Sequence, residues 1–528
     1  MYAPRRHRVG ELLGDALRWG PRDHLVQGDR RISFGQHHSA IQRVASLLRH
    51  DGVGAGDRVA LLAASSPEWI VTWWAALRIG AIAVPFNAWW SADEVAHAVG
   101  DCRPRVVMAD AEGARRLPAG VALLERDRVA GMIDADGDGS AGSDDPSVDP
   151  GSDESDPAVI LYTSGTTGYP KGVVLSHRAV VANVHNFLLA TRRLPPDLAA
   201  DHPAPVSLLT VPLFHLSGLQ AFLTALLAGG RLVFLTGRFD PGEVLELVER
   251  ERVSIWAAVP TMVQRVLEHP DLARRDCSSL RSLAMGGAPV APETIERARR
   301  AFSGVERKVV NVYGLTESGG VVSVCAASDM EAHPDSVGRP LPVVEVQIAD
   351  PDPEGVGEIL VRSPAVMNGY WGRPDDATVD AQGWLRTGDL GRVADGLLFL
   401  VDRSKDLVIR GGENVASVHV EARLLSHPAV SEAAVVGLPH PDLGEEVGAV
   451  VVVRPGCAVG AEELRGHARR TLAPFEVPTR WWFREAPLPT SAVGKVLKRD
   501  LRRAWIDVLE DEEAARRPSS VAAEVVEP

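Results

Sequence analysis

The chain has 528 residues, 70 of them acidic and 56 basic, for a formal net charge of -14; 45% are hydrophobic and 24% charged. That length exceeds what one hydrophobic core supports and calls for at least two domains, while the balance excludes a disordered, collagenous or coiled-coil chain. The acidity argues against a nucleic-acid partner held by bulk charge.

Arg5, Arg6 and Arg8 precede no apolar run, and Glu11 and Asp15 interrupt a short amphipathic helix, so no signal peptide is expected. Residues 58–66 read as a strand, 67–80 as a helix with Pro67 in its first turn and Gly80 at its stop, and 81–87 as a strand. Ser91-Ala-Asp-Glu94 is a capping-box pattern opening the next helix, and a strand at 105–109 follows. The segment 134–157 holds nine acidic residues and no Lys or Arg, and reads as a solvated flexible loop. Asp134, Asp136, Asp138, Gly139 and Asp145 approach an EF-hand spacing, but Pro146 and Pro150 oppose the second helix that pattern needs, so calcium is not expected.

Further strands are expected at 158–162, 231–235, 254–259 and 309–313, with helical patterns at 242–252 and 261–269. The stretch 203–230 carries no formal charge, yet Pro203, Pro205, Pro212, His215 and Ser217-Gly218 cut it too short to span a bilayer. A buried strand, a loop and a buried helix fit it better. After about Arg403 come a Gly411-Gly412 turn, a helix at 420–426, apolar strands at 433–437 and 447–453, a helix at 461–472 and a basic C-terminal helix. The fold class expected is α/β: a large N-terminal domain (1–402) of mixed or parallel sheets flanked by helices, and a small mobile α+β domain (403–506). Residues 507–528 are acidic, lack an apolar face and are expected to be a disordered tail. Cys102, Cys277, Cys325 and Cys457 form no CxxC pair and suit a reducing cytosol.

The densest chemistry lies in Tyr162-Thr-Ser-Gly-Thr-Thr-Gly-Tyr-Pro-Lys-Gly-Val173, directly after an apolar strand. Thr163, Ser164, Gly165, Thr166, Thr167 and Gly168 offer hydroxyl and backbone donors, and Lys171 adds a charge, which together cradle a phosphate. Gly172 after Lys171 rules out a Walker A loop.

This string resembles the signature of the adenylate-forming superfamily of acyl-CoA synthetases, peptide-synthetase adenylation domains and luciferases. Similar blocks follow in order: Pro212-Leu-Phe-His215, Gly286-Gly-Ala-Pro289, Asn311-Val-Tyr-Gly-Leu-Thr-Glu317, Gly383-Trp-Leu-Arg-Thr-Gly-Asp389, Asp402-Arg-Ser-Lys405 and Gly494-Lys495. Trp89-Trp90 and the segment after Phe214 look most like bacterial fatty acyl-CoA synthetases. The resemblance implies that Gly286, Gly287, Ala288 and Pro289 line adenine. It places Asn311, Tyr313, Gly314 and Thr316 on the nucleotide, Tyr313 stacking on the base and Thr316 at the α-phosphate. Glu317 would hold Mg²⁺, Asp389 the ribose hydroxyls, and Arg403 a ribose or phosphate oxygen. His215 would sit beside the acyl carboxylate, Lys495 would be the mobile catalytic lysine, Lys405 the hinge, and Gly411, Gly412 and Glu413 the face that meets CoA. Read locally, the same residues are also a capped strand end at Thr316, a backbone-bonding turn Asp389, a core His215 and an exposed Lys495.

Two departures stand out: Val493 where relatives often have Ser or Thr, and Ala416, Ser417, Val418 and His419 where many have an aromatic, Pro, a small residue and Glu. Both are expected to loosen the loops presenting Lys495 and CoA. The implied acyl pocket is His215, Trp256, Val259, Met285, Leu315, Gly320 and Val321, with no charge to pair with a polar substrate tail. The implied reaction is ATP-dependent ligation of a hydrophobic acid, a medium- or long-chain fatty acid first, to CoA through an acyl-adenylate. The alternatives are a ligase loading a carrier protein, an aryl or polycyclic acid ligase, and a non-catalytic binding protein. The implied partners are the acid, ATP, Mg²⁺ and CoA in the cytoplasm, with no nucleic acid and no membrane span; peripheral membrane contact and homo-oligomers stay open.

Overall fold

The structure is a computed structural model that describes residues 5–135, 153–163, 169–199, 201–288, 290, 292–305, 309–403, 405–491 and 494–516. It divides into two compact units, Met1–Leu400 and Val401–Pro528.

The first unit is built on two large sheets. A nine-stranded sheet runs in the order Arg339–Pro340, Gly320–Cys325, Val309–Leu315, Ser282–Gly286, Ile255–Ala258, Val206–Leu209, Arg231–Phe234, Asp23–Gln27, Arg30–Ser33. Its central pairings are parallel, and both ends are antiparallel. A six-stranded sheet has the order Leu123–Glu125, Val106–Ala109, Arg58–Leu62, Ile82–Pro85, Pro157–Thr163, Lys171–Ser176. Along Arg58–Leu62, Val59 and Leu61 join the main core while Ala60 and Leu62 join a second cluster with Val95 and Ala98. Both faces of that strand are therefore covered, which is why it reads as an unbroken apolar run. A smaller antiparallel sheet comprises Glu345–Ala349, Gly357–Arg362, Leu385–Ala394 and Leu397–Arg403.

The main core is packed by helices with clear starts. Ser66 caps the helix Pro67–Arg78 and buries Trp69, Trp73 and Trp74; Trp73 and Trp74 meet Phe222 edge-on. The uncharged stretch resolves into the strand Val206–Leu209 and the helix Leu216–Leu227. Among the described residues, no helix is long and apolar enough to cross a membrane.

The second unit has its own cores. The hairpin Val430–His440 and Gly444–Val453 sends Val435, Ala449 and Val451 to one face and Ala434, Val436 and Val450 to the other. The helices Ser417–Leu425 and Ala461–Ala468 cover the first face, and the helix Lys498–Arg516 the second through Leu501 and Trp505. The helical run to Arg516 corrects the expectation of a disordered tail from 507: Ile506 and Leu509 pack beside Trp505 and give those turns an apolar side. The tail beyond 516, and 136–152 of the acidic loop, lie outside the described residues. At the edges of that loop Asp134 ends the helix Arg126–Asp134 and pairs with Arg30 at 2.7 Å.

Candidate active site

The proposed phosphate cradle joins two paired strands. Pro157–Thr163 runs antiparallel to Lys171–Ser176 with Thr163 opposite Lys171, so the two ends of the connecting loop are fixed. Ser164, Gly165, Thr166, Thr167 and Gly168 lie outside the described residues, as does Pro289. The edge of Lys171–Ser176 takes up a further segment: Trp371 N–H donates to Gly172 O at 2.7 Å and Val174 N–H to Gly369 O at 3.0 Å. That pairing sets Tyr370 beside Lys171.

Here the structure gathers residues from distant parts of the sequence. Glu317 Oε1 accepts from Tyr370 Oη at 3.1 Å and from Thr163 Oγ1 at 3.5 Å. Lys171 Nζ stands 4.9 Å from the centre of the Tyr370 ring. Met367 N–H donates to Glu317 O at 3.0 Å, tying the two segments together through backbone. Tyr370 was not singled out from sequence, because only strand pairing brings it to Glu317. Burial and the neighbouring Glu317 carboxylate both raise its phenol above the ordinary range, so it stays a hydrogen-bond donor.

Glu317 follows the strand Val309–Leu315, whose parallel partner Ser282–Gly286 carries Gly286 and leads to Gly287 and Ala288. A methyl on Gly286 would lie 2.6 Å from Val312 O, and Gly287 has φ +76°, so this wall admits only glycine geometry. Asn311 Nδ2 donates to Ser336 O at 3.2 Å. Tyr313 Oη donates to Asp389 Oδ2 at 2.7 Å, joining the residues assigned to base and ribose into one buried pair. Asp389 does not sit in a turn, as its Thr387-Gly388 prelude suggested. It lies inside the strand Leu385–Ala394 at a β-bulge, where Gly388 at φ +70° re-aims it and Thr387 Oγ1 accepts its N–H at 3.1 Å.

His215 is the residue before the helix Leu216–Leu227. Its Nε2 is buried and has no hydrogen-bond partner among the described residues, and burial pushes the imidazole down to about 4, so it is neutral at pH 7. Of the other acyl-pocket residues, Trp256, Val259 and Met285 are buried, Trp256 with its indole N–H on Thr210 Oγ1 at 3.0 Å. Leu315 and Val321 are half-buried on either side of the Thr316–Glu317 turn, and Gly320 pairs with Leu315.

The second unit carries the remaining candidates. Gly411 and Gly412, both at positive φ, form the two-residue turn between Val408–Arg410 and Glu413–Val415. Lys405 is exposed in the turn after Arg403. Lys495 lies in a tight turn with Gly494 at φ +74°; Ser491 N–H donates to Lys495 O at 2.7 Å and Lys495 N–H to Ser491 Oγ at 3.3 Å. Val493 lies outside the described residues. Ser417, in the second departure, is clamped by its neighbours. It is fully buried, its Oγ donates to Asp402 Oδ2 at 2.7 Å, and Lys498 Nζ donates to it at 2.7 Å while pairing with Glu421 at 2.7 Å. Ser417 N–H donates to the same Asp402 oxygen, a bond a proline could not make. Burial opposes the charge on Lys498, and the Glu421 and Asp402 carboxylates outweigh it and raise the ammonium above its ordinary value. Neither Lys498 nor Ser417 was singled out as a site residue, since each gains its role from partners on other elements.

Among the described residues no cluster of three His, Cys, Asp or Glu side chains could hold a metal by itself. Glu317, one carboxylate beside a phosphate cradle, is the donor set Mg²⁺ takes when a nucleotide supplies the other oxygens.

Comparison with known proteins identifies the family. The AMP-binding enzyme family matches residues 15–371, and the AMP-binding enzyme C-terminal domain matches 419–495. A feruloyl-CoA synthase of Amycolatopsis sp is 37% identical over 485 residues, 90% of this chain and 95% of that protein. The long-chain-fatty-acid–CoA ligase FadD13 of Mycobacterium tuberculosis is 34% identical over 489 residues, 90% of this chain and 94% of that protein. The o-succinylbenzoate CoA synthetase of Bacillus subtilis, solved with its acyl-adenylate, superposes with a TM-score of 0.80 at 28% identity, covering 93% of this chain and 97% of that one. With both parts of the family in order along the sequence and the fold reproduced, the chain belongs to the AMP-binding enzymes and is an acid–thiol ligase of their AMP-forming kind.

Proposed function

We propose that the protein joins a hydrophobic carboxylic acid to CoA in two steps at the expense of ATP. A carboxylate is a poor acyl donor because oxide is a poor leaving group. In the first step its oxygen attacks the α-phosphorus of ATP, the bond to the β-phosphate oxygen breaks, and pyrophosphate leaves. In the second the CoA thiol attacks the acyl carbon, loses its proton, and AMP departs. The observation that carries this reading is the convergence of Thr163, Lys171, Glu317 and Tyr370, together with the Tyr313–Asp389 pair on the strand that leads to Glu317. Cation and hydroxyl donors are the groups that bind triphosphate oxygens, and a buried carboxylate is an acceptor suited to ribose hydroxyls, which supports this reading.

In this reading Tyr313 and the Gly286–Ala288 wall hold adenine, and Asp389 accepts from the ribose. Thr163, Thr316 and Lys171 hold phosphate oxygens. Glu317 would supply one oxygen to Mg²⁺, which when bound neutralises phosphate charge. Lys495 contributes positive charge to the oxygens of the first transition state, and a preorganised charge of this kind is worth about 3 kcal/mol or more. Neutral His215 keeps charge away from the acyl carboxylate's neighbourhood and offers a ring nitrogen to it. Lys405 is the hinge residue of this reading, Arg403 a nucleotide contact, and Gly411, Gly412 and Glu413 the CoA face.

The acyl group is hydrophobic, as the small and apolar lining at Val259, Met285, Leu315, Gly320 and Val321 supports. The test is a panel of aryl and fatty acids incubated with ATP and Mg²⁺, with and without CoA. AMP and acyl-CoA are expected to form together when CoA is present. Acid-dependent pyrophosphate exchange without any CoA consumption would refute CoA as the acceptor. Lys495→Ala is expected to lower acid-dependent pyrophosphate exchange about 100-fold or more.

A further inference from the structure

Tyr370 touches both charged candidates of the nucleotide site, one with its hydroxyl and one with its ring. Its backbone is held at the edge of the strand Lys171–Ser176: Tyr370 bridges Val173 in antiparallel fashion, Asn368 N–H donates to Val174 O at 2.9 Å and Trp371 N–H to Gly172 O at 2.7 Å. Met367 N–H donates to Glu317 O at 3.0 Å, so the same segment is also tied to the turn that carries Glu317. From this fixed backbone the Tyr370 hydroxyl donates to Glu317 Oε1 at 3.1 Å, and Lys171 Nζ lies over the ring, 4.9 Å from its centre.

Lys171 and Glu317 carry opposite charges in one small region, and Thr163 links them as well. It faces Lys171 across the strand pair and donates to Glu317 Oε1 at 3.5 Å. Opposite charges so placed attract, and an ion pair between them would neutralise the cation that phosphate oxygens need and occupy the carboxylate that a metal needs. Among the described residues no ion pair joins the two, and Tyr370 serves each of them separately. A ring face attracts an ammonium without cancelling its charge. The phenol and Thr163 both bond Oε1, so among the described residues Oε2 accepts no hydrogen bond. Phenylalanine would supply the ring alone, and leucine neither ring nor hydroxyl.

Building on the CoA-ligase reading, we propose that Tyr370 is a positioning residue that keeps Lys171 and Glu317 from pairing with each other before the nucleotide arrives. Its ring face holds the ammonium ready for triphosphate oxygens, and its hydroxyl holds the carboxylate ready for Mg²⁺. The two halves of the side chain therefore have separable effects. The hydroxyl governs how well Mg²⁺ strengthens nucleotide binding, and the ring governs how well the triphosphate binds without metal.

The experiment is isothermal titration calorimetry of the full chain with ATP, first in EDTA and then at rising Mg²⁺, without any acid so that no turnover intervenes. Tyr370→Phe is expected to raise the Mg²⁺ concentration that gives half of the metal-dependent gain in affinity by about fivefold, with the metal-free Kd within about twofold of wild type. Tyr370→Leu is expected to raise the metal-free Kd about fivefold, because Lys171 and Glu317 can then pair. The same Tyr370→Leu change made together with Glu317→Gln is expected to cost less than about twofold relative to Glu317→Gln alone, since no carboxylate remains to capture Lys171. A loss of packing alone would persist in that background. Unchanged Mg²⁺ dependence in Tyr370→Phe, unchanged metal-free binding in Tyr370→Leu, or a Tyr370→Leu loss equally large with Glu317→Gln overturns this inference while leaving the ligase reading intact. A wild-type protein that binds no ATP with or without Mg²⁺ overturns the ligase reading and this inference with it.

Discussion

At Gly320 a single hydrogen stands where any other residue would place a methyl 1.9 Å from Asn183 Oδ1, and the backbone there has φ +151°. Gly320→Ala therefore has to displace Asn183 or the hairpin carrying Glu317, and is expected to lower stability by about 2 kcal/mol in urea unfolding. His24 presents the opposite case, a polar ring locked into the core. It is fully buried, stacks on Phe34 at 4.2 Å and shares a hydrogen bond with Gly230 O at 3.0 Å. Burial pushes it down to about 4 from an ordinary 6.5. The unfolded chain thus binds a proton between those two values that the folded chain does not. Its contribution to stability is complete above pH 6.5 and is lost as pH falls toward 4. Between pH 7 and pH 5 the loss from this one group is about 2 kcal/mol, and His24→Phe should flatten that part of the stability-versus-pH curve. Neither residue announces its role in the sequence. A glycine before Val321 and a histidine between Asp23 and Leu25 acquire these constraints only from the partners that the fold brings up.

Elements show the same division. The helix Pro67–Arg78 is legible from Ser66, Pro67 and Gly80, because capping and φ restriction act within a few residues of one another. The helix Lys498–Arg516 is legible as a helix, whereas its anchor is not. Lys498 reaches Ser417 and Glu421, and Ser417 reaches Asp402, so three segments separated by up to 96 positions share one network. With side-chain exposures of 17% and 13%, the Lys498–Glu421 pair is shielded enough that breaking one partner leaves a poorly solvated charge. Lys498→Met is expected to destabilise the Val401–Pro528 unit by about 3 kcal/mol in thermal or chemical unfolding. Lys498→Arg should recover much of that loss, and a double-mutant cycle with Glu421→Gln should give a coupling energy well above zero.

For the whole molecule, each of the two units has cores of its own, the first around Trp69, Trp73, Trp74 and Phe222 and the second around Val435, Val447 and Val450. Scanning calorimetry is expected to resolve more than one unfolding transition, with the Lys498→Met variant shifting only the one that belongs to Val401–Pro528. The acidity of the sequence has little bearing on the site: 134–157 and the C-terminal 507–528 hold the whole formal excess, since the first has nine acidic residues and no basic ones and the second seven against two. What the sequence by itself determined is whatever depends on neighbours along the chain: strand and helix periodicity, caps, glycine turns, the hydroxyl-rich loop and the order of family motifs. Tertiary structure alone decided that Tyr370 meets Glu317, that Tyr313 bonds Asp389, that Ser417 is clamped by Asp402 and Lys498, and that Asn183 meets Gly320 and Val321. The physical reason is that hydrogen bonds and burial act between surfaces. Strand pairing and helix packing choose which distant residues share a surface, and no local pattern encodes that choice.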